Sequence, residues 1–215
     1  MRSYGTRFIL PVALFMALLA VLSAAGCTGT PPGSSGPSAT SQASSGAGST
    51  PAADSKAGGV FILHVAGISS GGTQPAALPA AFSCMVGTPV SPPVSWENVP
   101  EGTETLALIV LDPDAPNPPF THWIVYNIPK DRTGIPEGQG SAKELDGGGQ
   151  QGINSADQRG YYPACPPIGS KHRYFFELYA VDYTIGLPSA DRETLTAMLN
   201  GHVIGEAIVK TTFSR

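Results

Sequence analysis

The chain has 215 residues, 12 of them basic and 16 acidic, for a formal net charge of −4. That acid excess argues against nucleic acid or an anionic membrane surface as the main partner. Its three cysteines show no metal-ligand spacing such as C-x-x-C, and neither a metal nor a cofactor is expected.

Residues 1 to 26 carry Arg2 and Arg7, an apolar run from Phe8 to Leu22 broken by Pro11, and the small residues Ser23-Ala-Ala-Gly26 ahead of Cys27. This is the layout of an export signal peptide. The apolar run is roughly fifteen residues, short of the roughly twenty that span a bilayer. A cysteine directly after the small-residue site is where lipoproteins are cleaved and lipidated, although Ala24 stands where a leucine is usual. Cys27 is therefore the expected lipidation site, and the mature chain is expected at the extracytoplasmic face of a prokaryotic membrane; plain secretion is the alternative. From Thr28 to Gly58 every residue is Gly, Pro, Ser, Thr or Ala except Gln42, Asp54 and Lys56. Nothing large and apolar offsets backbone ordering there, so residues 27–58 read as a disordered, flexible tether.

Residues 59–215 are the right length for one domain. With residues 1 to 26 removed, the balance becomes 10 basic against 16 acidic. If Cys27 carries lipid, Cys84 and Cys165 remain as an even pair in an oxidising compartment; a disulfide between them and two buried thiols are both open. Period-two alternation dominates from Val60 onward, in Val60–Val65, Thr105–Leu111, Thr121–Ile128, His172–Tyr183 and Val203–Phe213. Turn clusters such as Ser91-Pro-Pro93, Asn98-Val-Pro-Glu-Gly102 and Asp146-Gly-Gly-Gly149 separate these strands. One helix stands out, over Asp191–Asn200, with Leu195, Met198 and Leu199 on one face and Gly201 just beyond. The fold class that follows is mainly antiparallel β: two packed sheets forming a sandwich, with a C-terminal helix.

Chemistry concentrates at two strand mouths beside prolines. One is Asp112-Pro-Asp-Ala-Pro116 with Thr121-His-Trp-Ile-Val-Tyr-Asn-Ile128; the other is Cys165-Pro-Pro-Ile-Gly-Ser-Lys-His-Arg-Tyr174. Alternate strand residues share a face, so His172 and Tyr174 point one way and Arg173 and Phe175 the other. The same rule gives His122 a common face with Ile124 and Tyr126. If the strand starts adjoin, Asp112, His122, His172 and Tyr174 converge, and imidazole and phenol groups suit a small anion with several acceptor oxygens.

These residues, taken together, resemble the phosphatidylethanolamine-binding protein family, also called Raf kinase inhibitor-like proteins. The likeness extends through Ala81-Phe-Ser-Cys84, Ser91-Pro-Pro-Val-Ser-Trp96, Val99-Pro-Glu-Gly102 and Gly201-His-Val-Ile-Gly-Glu-Ala207, and so covers about the whole domain. It implies a two-sheet sandwich with an anion pocket for phosphate or phosphoethanolamine-like groups. Asp112, His122, His172 and Tyr174 fall at its pocket positions, and Pro116, Cys165, Pro166 and Pro167 at its walls. Asp114 and Arg173 are expected to pair and brace the loop. The short Asn-Pro-Pro-Phe-Thr stretch before His122 leaves the family's pocket-loop aromatic residues without a clear counterpart, a gap that Tyr161 or Tyr162 could fill.

The functional expectation is non-enzymatic binding of a small anionic or phosphorylated ligand such as a phospholipid head group. The alternative is a cell-surface peptidase inhibitor, with the glycine-rich stretch Gly147–Gly152 as a contact loop. A hydrolase is less favoured, because no Gly-x-Ser-x-Gly elbow or activated-thiol context occurs.

Overall fold

The computed structural model describes residues 59–72, 75–117 and 119–215. The expected leader, Cys27 and the tether lie outside the described residues. In chain order the strands are β1 (Ile62–Val65), β2 (Ile68–Ser69), β3 (Ala76–Ala77), β4 (Val94–Glu97), β5 (Thr105–Asp112), β6 (Phe120–Pro129), β7 (Gly134–Ile135), β8 (Gln150–Gln151), β9 (Lys171–Val181) and β10 (Val203–Ser214). A short 3-10 turn covers Ala80–Phe82, and helix α1 covers Arg192–Leu199. Four strands form one sheet in the order β2-β1-β4-β7, and six form the other in the order β3-β10-β9-β5-β6-β8. All pairings are antiparallel except the two-residue contact of β3 with β10. Among the described residues, no helix is long and apolar enough to cross a membrane.

β5 runs through the middle of the larger sheet, and its alternation feeds two cores. Leu106, Leu108 and Val110 join Leu63, Val65, Trp96, Phe176 and Leu178 in the cluster between the sheets. Ala107 and Ile109 join Ile124, Tyr126, Leu195 and Leu199 on the opposite face, which α1 covers. A strand covered on both faces is apolar along its length, and Leu106–Val110 is buried throughout rather than at alternate positions. α1 starts where the sequence indicates: Asp191 is its N-cap, accepting from Thr194 N at 2.8 Å while the Thr194 hydroxyl reaches back to Asp191 N at 3.1 Å. Those bonds satisfy amide groups that the first helical turn leaves unpaired.

β6 departs from simple alternation twice. Leu106 faces Ile128 and Leu108 faces Val125, so β6 carries one extra residue, next to Asn127 at φ 53°. The Asn127 amide brackets Ile185, donating to its carbonyl at 2.8 Å and accepting from its N–H at 2.8 Å. Nearer the strand's start, Val110 faces Trp123 but Leu111 faces Thr121, which makes His122 the extra residue of a second β-bulge. The expected common face of His122, Ile124 and Tyr126 is corrected here. Ile124 and Tyr126 lie under α1, whereas the bulge turns His122 toward Tyr174, a member of the core between the sheets.

Gly147–Gly152, expected as an exposed contact loop, is packed down over much of its length. Gly149, Gln151 and Gly152 are buried, Arg132 Nη1 donates to Gly148 O at 2.7 Å, and β8 pairs with β6. A Cβ on Gly152 would run into Ala190 O and the Ile124 side chain, so close backbone approach requires glycine there.

Replacing Asn127 tests the first bulge. Asn127→Ala removes both bonds to Ile185 and places a Cβ at positive φ without the Asn compensation; a loss of roughly 2–4 kcal/mol in denaturant unfolding is expected. Asn127→Gly, which tolerates that backbone, should lose less.

Candidate functional site

The strand mouths identified in the sequence meet because β5 pairs with both β6 and β9. Asp112, the last residue of β5, faces Phe120, the first residue of β6, across the ladder. His172 and Tyr174 are successive inward residues of β9, both buried. Asp112 joins the elements: its Oδ2 accepts from His172 Nδ1 at 2.7 Å, and its Oδ1 accepts from Asp114 N at 2.8 Å, closing the turn after β5. A carboxylate with both oxygens engaged anchors the site. It also fixes the His172 tautomer, since Nδ1 must carry the hydrogen and Nε2 is left for other partners.

His122 is 4% exposed, caged by aromatic rings. Its ring centroid lies 4.8 Å from that of Phe120, 5.2 Å from that of Tyr174 and 6.1 Å from that of Tyr162. Nδ1 lies 2.8 Å from Tyr162 O. A carbonyl only accepts, so Nδ1 carries the hydrogen and Nε2 of the neutral ring is a bare acceptor. That Nε2 and the Tyr174 hydroxyl oxygen are buried without hydrogen-bond partners among the described residues. Burial pushes the His122 imidazole below its usual pKa of 6.5, outweighing the Tyr162 carbonyl and the Asp112 carboxylate, which act the other way. Burial, with the adjacent Asp112 charge, pushes the Tyr174 phenol up.

These residues border a cleft of about 300 Å³, lined by Asp112, Ala115, Pro116, Phe120, His122, Tyr162, Pro163, Cys165, Pro167 and His172. Six of the eight residues expected at the pocket therefore line it. The other two do not: Pro166 and Tyr174 are buried, Tyr174 acting through its edge contact with His122. The sequence reading missed Phe120, whose signal was an aromatic residue two positions before His122. Of the two tyrosines proposed as substitutes, Tyr162 lines the cleft. Tyr161 turns into the core, edge-on to Trp123 at 5.8 Å, and donates to Phe82 O at 2.7 Å.

The wall made by residues 161–167 is tied down from behind. Cys84 and Cys165 are joined by a disulfide with Cα atoms 5.3 Å apart, Cys84 N donates to Ala164 O at 3.0 Å and Ala164 N to Phe82 O at 3.2 Å. On the other side Asp114 accepts from Arg173 N and Nε at 2.9 Å and from Nη2 at 2.6 Å. This ion pair fixes the turn that carries Ala115 and Pro116. Among the described residues, no cluster of three or more His, Cys, Asp or Glu is placed to hold a metal ion. A larger cleft of about 510 Å³ lies elsewhere, between Thr121, Asn154 and the start of α1.

The family model described as phosphatidylethanolamine-binding protein matches residues 69–214. The chain belongs to this family. It is similar to a UPF0098 protein of Methanothermobacter thermautotrophicus, 46% identical over 131 residues, spanning 60% of this chain and 85% of the relative. A UPF0098 protein of Aquifex aeolicus is 39% identical over 141 residues, spanning 64% and 81%. Among solved structures, a phosphatidylethanolamine-binding protein homologue from Chlamydia trachomatis aligns with a TM-score of 0.62 at 32% identity, covering 73% of this chain and 98% of that one. Escherichia coli YbcL, described as a member of the mammalian family, aligns with a TM-score of 0.62 at 30% identity, covering 73% and 99%. The cleft thus sits in a family fold whose two sheets and C-terminal helix are those expected from the sequence.

The Asp114–Arg173 pair makes a pH prediction. Hydrogen bonds from Arg173 hold the Asp114 carboxyl at about 2, below its usual 3.8. The folded value is depressed, so the associated stability is complete above the unfolded value and is lost as pH falls from about 4 through about 2. In Arg173→Gln, NMR titration of the Asp114 carboxyl should return it toward 3.8, and that part of the acid dependence should disappear.

Proposed function

We propose that this family member binds a small oxyanion, a phosphate or the phosphate of a head group, in the His122–His172 cleft without transforming it. The observation that carries this reading is His122: a buried Nε2 with no hydrogen-bond partner among the described residues, at a cleft large enough for a small ligand. A buried polar atom left unpaired costs about 1–3 kcal/mol, which a ligand group there would recover. His172 Nε2, left free when Nδ1 bonds Asp112, is the second ring nitrogen at the cleft, which Pro116, Pro163, Pro167 and Phe120 also line.

Binding rather than catalysis is supported by what the other polar groups already do. Both oxygens of Asp112 are engaged, so it is poorly placed to take a proton from substrate. Cys165 is consumed in a disulfide, and among the described residues the lining includes no serine, threonine or free thiol. The reading includes an exported domain lipidated at Cys27, tethered by residues 27–58 and facing ligands outside the cytoplasm; the disulfide suits such a compartment.

The tautomer gives the binding a sign. Neutral His122 offers the ligand a lone pair, because its one hydrogen goes to Tyr162 O. A phosphate dianion needs a donor at that place, so the complex must hold one more proton than the free pocket plus dianion, on the ring or on the phosphate. Titration calorimetry with inorganic phosphate at pH 7, in buffers of different ionisation enthalpy, should show proton uptake and an affinity that weakens as pH rises. His122→Ala should weaken binding roughly 10- to 100-fold, the equivalent of about 1.5–3 kcal/mol. No heat and no shift at either histidine with millimolar phosphate would refute the proposal.

A further inference from the structure

Neighbouring residues of β6 line different clefts. His122 borders the one described above, and Thr121 borders the larger one of about 510 Å³, within the roughly 300–1,000 Å³ usual for small-molecule sites. Thr121 is 2% exposed, and its hydroxyl oxygen is buried without a hydrogen-bond partner among the described residues. Its backbone, by contrast, is engaged: Thr121 N donates to Ser155 Oγ at 2.9 Å, and Ser155 N donates to Thr121 O at 2.9 Å. A buried hydroxyl with no partner destabilises the fold, and one at a cleft can recover that loss from a ligand.

The start of α1 forms another part of this cleft. The first amides of a helix have no partner within it. Here the Asp191–Thr194 capping box takes those of Asp191 and Thr194, which leaves Arg192 N and Glu193 N without partners among the described residues. Buried Asn154 fixes the loop that completes the lining: its Nδ2 donates to Gly160 O at 3.0 Å, and its Oδ1 accepts from Ala156 N at 2.9 Å and Gln158 N at 3.1 Å. Ile153 N donates to Ala190 O at 2.8 Å, which ties this loop to the segment entering α1.

Charge narrows the ligand. The charged residues lining the cleft are Asp157, Asp191, Arg192 and Glu193. Three carboxylates against one guanidinium oppose an anion, the helix N-terminus and Arg192 oppose a cation, and the carboxylates do not converge as a metal-binding cluster. An uncharged molecule whose groups both donate and accept fits this lining. A sugar hydroxyl does both, accepting from a helix amide or from Thr121 and donating to a carboxylate, while Pro119, Ile153 and Ala190 offer its C–H face an apolar surface. We infer that this cleft is a second binding site, for a neutral saccharide held between the Thr121 hydroxyl, the free amides of Arg192 and Glu193, and the Asp157 carboxylate. It is independent of the oxyanion cleft: the two share no lining residue, and His122→Ala should leave it intact.

NMR of the ¹⁵N-labelled full chain tests this with maltose, cellobiose and diacetylchitobiose at millimolar concentration. At least one should shift the backbone amides of Thr121, Arg192 and Glu193 and leave the His122 ring signals in place. Thr121→Val keeps the shape of the side chain and removes the hydroxyl. It should weaken that binding roughly 3- to 10-fold and, by removing an unpaired buried oxygen, raise the thermal midpoint of the free protein by about 2–4 °C. Thr121→Ser should bind as the native chain does. No shift with any of the three sugars, unchanged affinity in Thr121→Val, or equal weakening in both variants would overturn the inference. So would a lower midpoint in Thr121→Val, which would mean that the hydroxyl is partnered within the fold. Shifts at the same amides with inorganic phosphate or calcium, and none with sugar, would overturn it by assigning the cleft to an ion.

Discussion

The extra residue in β6 opposite Val110 and Leu111 is the constraint on which the site depends. β5 and β6 are covered on both faces, so each side chain must go either between the sheets or under α1. Regular alternation would send His122 with Ile124 and Tyr126 toward the helix, leaving Asp112 and His172 without a partner across the cleft. The bulge turns the imidazole to the other face, among Phe120, Tyr162 and Tyr174. That position is what buries it, and burial is what keeps it neutral with a free lone pair at Nε2.

The rest of the pocket is support for that placement. Asp112 is the hub: one oxygen orients His172 and the other closes the turn leading to Asp114, which grips the backbone and side chain of Arg173 on the same strand as His172. β5 and β9 are therefore joined at their ends by side chains as well as by their ladder. The opposite wall depends on the disulfide and the Phe82–Ala164 and Cys84–Ala164 backbone bonds. Much of this support is made behind the cleft, by the Asp114–Arg173 pair on one side and the Phe82–Ala164 and Cys84–Ala164 bonds on the other, the usual condition for a site that keeps its geometry when empty.

The sequence made the architecture legible because the signals were local. Period-two runs marked β5, β6, β9 and β10 to within two residues, and the Asp191 cap with Gly201 bounded the helix. The Asp114–Arg173 pair was readable from the family likeness, and the meeting of the two strand mouths that brings Asp112 to His172 was readable from their patterning and that likeness. What was not legible depends on pairing. A bulge is invisible until the partner strand is known, so the face of His122 came out wrong. Tyr161 and Tyr162 are chemically alike, and only the backbone path decides that one enters the core and the other the cleft. The glycine-rich stretch 147–152 looked like an open loop because its anchors, Arg132, Ile124 and Ala190, are distant in sequence.

The His122 ring should carry a definite protonation pattern, and long-range ¹H–¹⁵N NMR of the histidine side chains reads it directly. In the free protein at pH 7, His122 should be neutral with its hydrogen on Nδ1 and Nε2 bare. Saturation with phosphate should change the Nε2 signal of His122 to that of a hydrogen-bonded or protonated nitrogen. A free protein with the hydrogen on Nε2 would contradict the placement of His122 against Tyr162, and a spectrum indifferent to phosphate would contradict the pocket's role as an oxyanion site.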